Sequence, residues 1–556
     1  MAKTKPGYAL YVERVLSGDI PAGQMLQQAC ERHVADLKSG PARGLTFDAA
    51  AARRALTFFS VLRHSKGEWA NREFKLEPWQ EFIIASLFGW KLEDGTRRFR
   101  RAYIAVPRKN GKSTMISGIG LYLLAADGEP GAEVFSAATK RDQARIVHGE
   151  AIRMVKASPL LRKEIRVFKD NLNVEETNSK YEPLGADSDT MDGLNVHAAL
   201  IDELHAHKTR HVVDVLDTAT GARRQPLIVE ITTAGWDRTS VCWEHHDYSR
   251  QVLEGVVQDD SWFAFIAMAD AKDDWTHPET WRKANPNYGV SVKPDDLARK
   301  CERAQKVPAE QNAFKRLHLN IWTEQSERWL DMDAWDECND AVDEDALAGR
   351  ACYADLDLAN TTDIAALVLA FPDDDDPPSY DVLPFFWIPG ESVIERTRRA
   401  AVPYLAWKEQ GLIDATEGNV IDYAAILARL DELARKYDIQ EIAYDRWGAT
   451  QLIQQMQAGG MTVVPFGQGF ASMSPPTKEL QNLTLSHRLR HGGHPVLRWM
   501  ASNMVVTQDP AGNLKPDKAR SSEKIDGMVA LTMAIDRATR YGSSESVYES
   551  RGLLVL

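Results

Sequence analysis

Residues 105–114 read AVPRKNGKST, and the identity of that segment governs how the rest of the chain is read. The apolar run RRAYIAVP (100–107) ends in a turn rich in polar residues, and Gly111-Lys112-Ser113-Thr114 opens a helical stretch. Strand, sharp turn and helix N-terminus in that order leave backbone N–H groups free to cradle an anion, which is how a phosphate-binding loop works. Lys112 is placed to reach the β and γ phosphates of a bound ATP, and the Ser113 hydroxyl to ligate Mg²⁺. The loop residues Arg108, Lys109, Asn110, Gly111 and Thr114 complete the candidate nucleotide site. Val106 stands where the pattern G-x-x-x-x-G-K-S/T has its first glycine.

Working outward, AALIDE (198–203) ends a second apolar run on a pair of acids. Asp202 is a candidate for holding Mg²⁺ and Glu203 for orienting or deprotonating the attacking water. On its own the pair would be read as a strand end capping a helix; beside Lys112 it reads as catalytic. A third run, QPLIVEITTAG (225–235), puts Thr232 and Thr233 where a γ-phosphate could be sensed and its state passed on. Upstream, Gln80 in LEPWQ (76–80) is a candidate for reading an adenine edge, and Arg141 and Arg145 are candidates for an arginine acting in trans. With AEVFSAAT (132–139), these short β-branched runs alternate with helical periodicity, as in RDQARIVHGEAIRMVK (141–156). That alternation predicts a parallel sheet flanked by helices.

At 556 residues the chain exceeds what one core usually organises. The expected division is a helical N-terminal region (1–73), a P-loop ATPase domain of α/β type (74–323), a linker with a short helix (324–350), a second α/β domain (351–541) and a flexible tail (542–556). No run approaches the roughly 18 apolar residues of a membrane span, and the start of the chain lacks a signal-peptide pattern. Cys30, Cys242, Cys301, Cys338 and Cys352 form no Cys-x-x-Cys pair, which argues against a disulfide framework or structural zinc. Cys242 with His245 and His246, or His205 with His207, lacks a second cluster to complete a metal site. The net charge of −13 does not look like a nucleic-acid binder. Local basic surface decides that question instead, and base clusters at Arg97, Arg98, Arg100 and Arg101; Arg396, Arg398 and Arg399; Arg488, Arg490 and Arg498; and Lys515, Lys518, Arg520 and Lys524 are the candidates.

The second half opens with CYADLDLANTTDIAALVLAFPDDDDPPSYDVLPFFWI (352–388), which predicts an antiparallel meander of three strands. AAILARLDELARKY (424–437) predicts an amphipathic helix feeding the strand IQEIAYD (439–445), and SSEKIDGMVALTMAIDRATR (521–540) a buried helix. Three carboxylates fall at structured positions: Asp357 on the first strand, Asp445 at a later strand end and Asp526 at the start of the last helix. Such acids repel one another and are costly to bury unless cations join them. An RNase H-like nuclease brings a first-strand, a later-strand and a C-terminal-helix carboxylate together in this order around two Mg²⁺ or Mn²⁺ ions. Asp355 shares a face with Asp357 and is the less favoured of the pair, Asp363 reads as a turn residue, and Lys524 is either a DNA-phosphate contact or plain surface.

The series LEPWQ, VPRKNGKST, SAATKRDQAR, LIDELHAH, ITTAG, DLANTTD, AYDRWGA and KIDGMVAL resembles the large terminase subunit of tailed bacteriophages, over about residues 74–540. The resemblance implies an N-terminal ATPase that drives double-stranded DNA into a procapsid through the portal protein, and a C-terminal RNase H-like endonuclease that cuts the concatemeric genome. By that resemblance Lys112, Ser113, Asp202 and Glu203 serve hydrolysis, Thr233 couples, and Asp357, Asp445 and Asp526 bind the cutting metals. It further implies a small terminase subunit as partner and a homo-oligomeric ring on the procapsid, with a monomer in isolation as the alternative. The expected location is the host cytoplasm, transiently on the procapsid and outside the mature virion. Two rivals stay open at this point: an RNase H-like recombinase or transposase, which would not need Lys112 and Glu203, and a packaging adaptor that does not cut.

Overall fold

A computed structural model describes residues 5–185, 193–207, 209–323, 329–358, 363–400, 402–445, 450–521 and 523–541. The expected tail, the turn at 359–362, the segment 446–449 and the start of the expected linker lie outside the described residues, as do the side chains of Arg398 and Arg399. The chain divides into two units, one of residues 1–306 and 311–326, the other of 307–310 and 327–556.

In the first unit, helices α1 (Gly7–Leu16), α2 (Gln24–Ser39), α3 (Ala49–Phe59) and α4 (Pro78–Gly89) precede an eight-stranded sheet. Its strands are β1 (Arg101–Ala105), β2 (Glu133–Ala138), β3 (Arg166–Val167), β4 (Leu172–Val174), β5 (Ser179–Gly185), β6 (Val196–Asp202), β7 (Leu227–Thr232) and β8 (Trp262–Ile266), in the order β8-β1-β7-β6-β2-β5-β4-β3. The six from β8 to β5 are parallel, and β4 and β3 extend the edge antiparallel. Every residue of β6 and β7 is buried, as strands covered on both faces by helices must be. The helical N-terminal region is no separate preface: Tyr8, Tyr11, Val12 and Val15 of α1 join the same core as Ile83 of α4 and Ile104 of β1.

Helix α5 (Lys112–Ala125) leaves the loop after β1 and runs so close to its neighbours that only glycine fits at two positions. A Cβ on Gly118 would lie 2.5 Å from the Phe59 ring, and one on Gly120 2.5 Å from Leu200 of β6. On α6 (Arg141–Ala157), Ala144, Val147, Ala151 and Val155 are fully buried, the face that 3.6-residue periodicity predicts. Arg97, Arg98 and Arg101 correct the expectation of a basic surface at 97–101. Arg97 and Arg98 are 1–2 % exposed and bind Asp127 and Asp36 at 2.7 and 2.8 Å, while Arg101 meets buried Glu230 at 2.7 Å. These guanidiniums neutralise interior acids and cannot also face DNA.

The second unit begins earlier than the sequence suggests. Trp329, Leu330, Met332 and Trp335, read above as linker, are buried in its core, the last two on α7 (Met332–Glu337). The meander is β9 (Ala351–Leu358), β10 (Ala365–Pro372) and β11 (Tyr380–Pro389), antiparallel throughout. With β12 (Asp414–Thr416), β13 (Asp438–Asp445), β14 (Val463–Phe466) and β15 (Leu489–Arg490) it forms a seven-stranded sheet in the order β12-β11-β10-β9-β13-β14, β15 pairing with β11. Helix α8 (Tyr423–Lys436) buries Ile426, Leu430 and Leu433 on one face of the sheet. The hairpin β16 (Val506–Gln508) and β17 (Leu514–Pro516) precedes α9 (Asp526–Tyr541), whose Met528, Leu531 and Ile535 join the core on the other face. Arg490 and Arg498, expected as basic surface, pair with Asp381 and Asp336 at 2.7 and 2.6 Å.

Candidate functional site

In the first unit the loop 106–111 hangs between β1 and α5. Two of its residues adopt left-handed backbone, Lys109 at φ 70° and Gly111 at φ 82°; glycine takes this conformation without strain at the second, while the lysine bears it at the first. Val106 is not among the left-handed residues, and its N–H donates to Thr232 O at 3.2 Å. A β-branched residue therefore fits where the glycine pattern fails. Asn110, expected to touch nucleotide, is fully occupied in shaping the loop. Its Nδ2 donates to Pro107 O at 3.1 Å and Asn285 Oδ1 at 2.9 Å, and its Oδ1 accepts from Asn287 N–H at 3.0 Å. Arg108 and Lys109 are exposed at the loop's outer rim.

The Lys112 ammonium donates to Val106 O at 3.2 Å and to Thr233 Oγ1, and lies 3.9 Å from Glu203 Oε2. Ser113 Oγ donates to Asp202 Oδ2 at 3.2 Å. The parallel register explains the convergence: β1 and β6 both flank β7, so their C-terminal ends and that of β7 open at one edge. Burial holds Lys112 below the usual lysine range, against the pull of Glu203 and Asp202. Burial and the neighbouring Glu203 push Asp202 up to about 6, with Lys112 opposing. A pair of acids and one buried lysine is short of positive charge, which a divalent ion on Ser113 and Asp202 would supply. Glu203 takes left-handed backbone, φ 50°, a strained conformation for a non-glycine residue and one met at working sites.

His205 is a residue the sequence reading passed over except as a weak zinc ligand. Its Nδ1 lies 3.2 Å from Glu203 Oε2 and 3.1 Å from Thr232 Oγ1, and its N–H donates to the same hydroxyl at 3.1 Å. Burial pushes its pKa down to about 4 despite Glu203, so the ring is neutral at pH 7. Thr232 is thus linked to Glu203 through His205, and Thr233 accepts directly from Lys112. Asn320 fixes the strand end beyond, accepting from Ala234 N–H at 2.6 Å. Cys242 and His245 take no part in a metal site: Cys242 packs on Tyr103 and Thr232, and His245 pairs with Glu230 at 2.8 Å.

Beside the loop lies a cavity of about 560 Å³ lined by Trp69, Arg72, Gln80, Gly111, Thr114 and Asn287. Gln80 Oε1 accepts from Glu77 N–H at 2.9 Å, capping α4; its Nε2 faces Gly111. Asn287 could not be picked out from sequence, since it stands 176 residues from Gly111 with no motif around it. Arg141 and Arg145 are engaged with Asp170, at 4.0 and 3.1 Å.

In the second unit, Asp357 on β9 and Asp526 at the start of α9 meet across one cation. Lys518 Nζ lies 2.6 Å from Asp357 Oδ2 and 2.8 Å from Asp526 Oδ1. Asp445 follows Tyr444, which pairs with Leu356, so the parallel register sets it next to Asp357. Asp355 is completely buried on the same face, and neither of its oxygens nor Asp526 Oδ2 has a hydrogen-bond partner. Burial pushes Asp357 up to about 6, with Lys518 opposing and Asp526 and Asp445 adding. Burial and Asp357 push Asp355 far above the carboxylate range. Among the described residues no three His, Cys, Asp or Glu side chains are arranged to hold a metal ion as they stand; in this cluster the central place belongs to Lys518. The donor set, all carboxylate and with orphaned buried oxygens, nevertheless fits hard divalent ions. Asp363 pairs with Arg396 at 3.2 Å and with Lys524, so Lys524 is engaged within the fold.

Comparison with known proteins adds sequence-wide support. The family model "Terminase large subunit, ATPase domain" matches residues 78–251, and "Terminase large subunit, endonuclease domain" matches 256–541. The second match starts ahead of β8, which belongs to the first sheet, so the fold boundary comes later than the family boundary. The large terminase subunit of Enterobacteria phage HK97 is 32 % identical over 481 residues, covering 85 % of this chain and 92 % of that protein. Protein YmfN of Escherichia coli K12 is 34 % identical over 365 residues, covering 64 % of this chain and 80 % of that one. The crystal structure of the HK97 large terminase covers 88 % of this chain and 99 % of its own at 31 % identity, with a TM-score of 0.44.

Proposed function

Since this chain belongs to the terminase large-subunit family, we propose specific residues for the two activities that membership brings. The protein is the ATPase and endonuclease of a phage DNA-packaging motor, using ATP and divalent metal. In the first unit Lys112 takes the β and γ phosphates, Ser113 and Asp202 hold Mg²⁺, and Glu203 orients the attacking water. Thr232 and Thr233 couple that chemistry to movement, and the base sits in the cavity between Trp69, Arg72, Gln80 and Asn287. In the second unit Asp357, Asp445 and Asp526 hold the cutting metals, two Mg²⁺ or Mn²⁺. Bound there, divalent ions supply the charge that stabilises an in-line displacement at phosphorus and activate the attacking water.

The wider assignment is a ring of copies on the procapsid portal in the host cytoplasm. It drives double-stranded DNA inward with a small terminase subunit as partner and cuts the concatemer. The observation that carries the reading is the convergence of Lys112, Ser113, Asp202, Glu203 and Thr233 at one strand edge. A recombinase would have no use for that edge. The test is a crossed pair of variants in the full chain. Lys112→Ala is expected to lower ATP hydrolysis at least about a hundredfold and to leave Mn²⁺-dependent plasmid cutting intact. Asp357→Asn should do the reverse; cutting by Asp357→Asn, or hydrolysis by Lys112→Ala, sinks the respective assignment.

A further inference from the structure

The nuclease cluster gathers buried carboxylates around the Lys518 ammonium. Asp355, Asp357 and Asp526 are at most 3 % exposed, Asp445 adjoins them on β13, and Lys518 is the ammonium bonded to two of them. Removing a carboxylate from water is costly unless opposite charge accompanies it, so Lys518 stabilises the cluster when no divalent ion is bound. Lys518 Nζ also stands where Asp357 and Asp526 converge, so a divalent ion held by those carboxylates would meet the ammonium. An ammonium and a divalent ion within about 4 Å repel strongly in such a setting. One must yield.

The structure shows how it can. Asp517 fixes the backbone on both sides of Lys518: its N–H donates to Val505 O at 2.9 Å, and its Oδ1 accepts from the Ala519 and Arg520 N–H groups at 3.1 Å. The Lys518 side chain itself is 40 % exposed. It borders a cavity of about 220 Å³ with Gln468, Met473 and Lys515. The ammonium can therefore leave by side-chain rotation while the hairpin base stays in place.

We propose that Lys518 is a displaceable counter-ion of the nuclease site, which occupies the metal position between Asp357 and Asp526 until a divalent ion expels it. It is a positioning residue, and it lowers metal affinity in exchange for holding the carboxylates together. The inference rests on the assignment of Asp357 and Asp526 as metal ligands. Mn²⁺ titration of the full chain without nucleotide, followed by calorimetry, separates the two. The nuclease-site signal is defined as the part lost in Asp357→Asn. Lys518→Met is expected to tighten that signal about tenfold, the effect of relieving one close charge contact, while Lys518→Arg stays within about twofold of the parent. The rise in melting temperature on replacing EDTA with Mn²⁺ should be larger for Lys518→Met than for the parent. Unchanged or weaker Mn²⁺ binding by Lys518→Met, with Asp357→Asn still abolishing it, overturns the role of Lys518 and leaves the ligand assignment standing. If neither Asp357→Asn nor Asp526→Asn removes any part of the parent's Mn²⁺ signal, the ligand assignment and this inference fall together.

Discussion

Asp202 shows how a single side chain carries both a cost and a use. Its carboxyl is pushed from 3.8 to about 6 by burial and by Glu203, so the folded protein binds a proton more tightly there than the unfolded chain does. Stability from this group is complete below pH 4 and is lost as pH rises through 6. In metal-free protein, Asp202→Asn removes the loss. Its urea-unfolding free energy relative to the parent should therefore climb between pH 4 and pH 7, by up to about 3 kcal/mol. A flat difference across that range would mean that the carboxylate is already compensated. The same buried charge is what makes the site receptive to Mg²⁺, so the climb should shrink when Mg²⁺ and an ATP analogue are present. Motif residues such as Lys112, Asp202 and Glu203 were legible in sequence because Lys112 opens a helix after a strand and a polar turn, and the two acids end an apolar run. Asn287, His205 and the Lys518 bridge were not, since a lone polar residue in an ordinary stretch carries no periodic signal.

Among elements, α5 is the most exposed to small changes. It must bring Lys112 to the loop while passing Phe59 and Leu200 closely enough to leave no room at Gly118 and Gly120. Replacing a mid-helix glycine usually gains up to about 1 kcal/mol in propensity, and less for a β-branched residue. Overpacking a filled core costs about 1–3 kcal/mol. The second effect wins at Gly120, and Gly120→Val is expected to lose about 1–3 kcal/mol in urea unfolding; an equal or higher midpoint would show that α5 has slack. The strands of the meander were readable because their alternation and their Asp- and Pro-rich turns are both local. Strands β5 and β8 and the β3–β4 edge were missed, being short or broken by polar residues, and α7, expected as a short helix, was assigned with Trp329 to a linker rather than to the second core. Its few apolar residues are scattered through an acidic stretch, and only the partner core reveals that Trp329, Met332 and Trp335 face inward.

At the scale of the whole molecule, two units with separate cores each carry one activity. A ligand stabilises only what it binds. With Mg²⁺ present throughout, adding a non-hydrolysable ATP analogue at about 100 times its dissociation constant to the full-length protein should add about 2.7 kcal/mol in the first unit alone. In scanning calorimetry one component then shifts and the other stays; a Lys112→Ala protein should show neither moving. A joint shift of both components would mean that the units unfold as one.

The candidate chemistry of each half was legible in the sequence, because a phosphate loop is a local pattern and the strand-end acids gain their meaning from the order of motifs along the chain. The alternation of strands and helices was determined the same way. Tertiary structure decided which charges are free to act. Arg97, Arg98 and Arg490 look like DNA-facing bases in the chain and are spent on buried acids in the fold, while Lys518, one basic residue among several, is held between two carboxylates. Charge pairing depends on distances between residues far apart in sequence, and only the folded register of β9, β13 and α9 sets those distances.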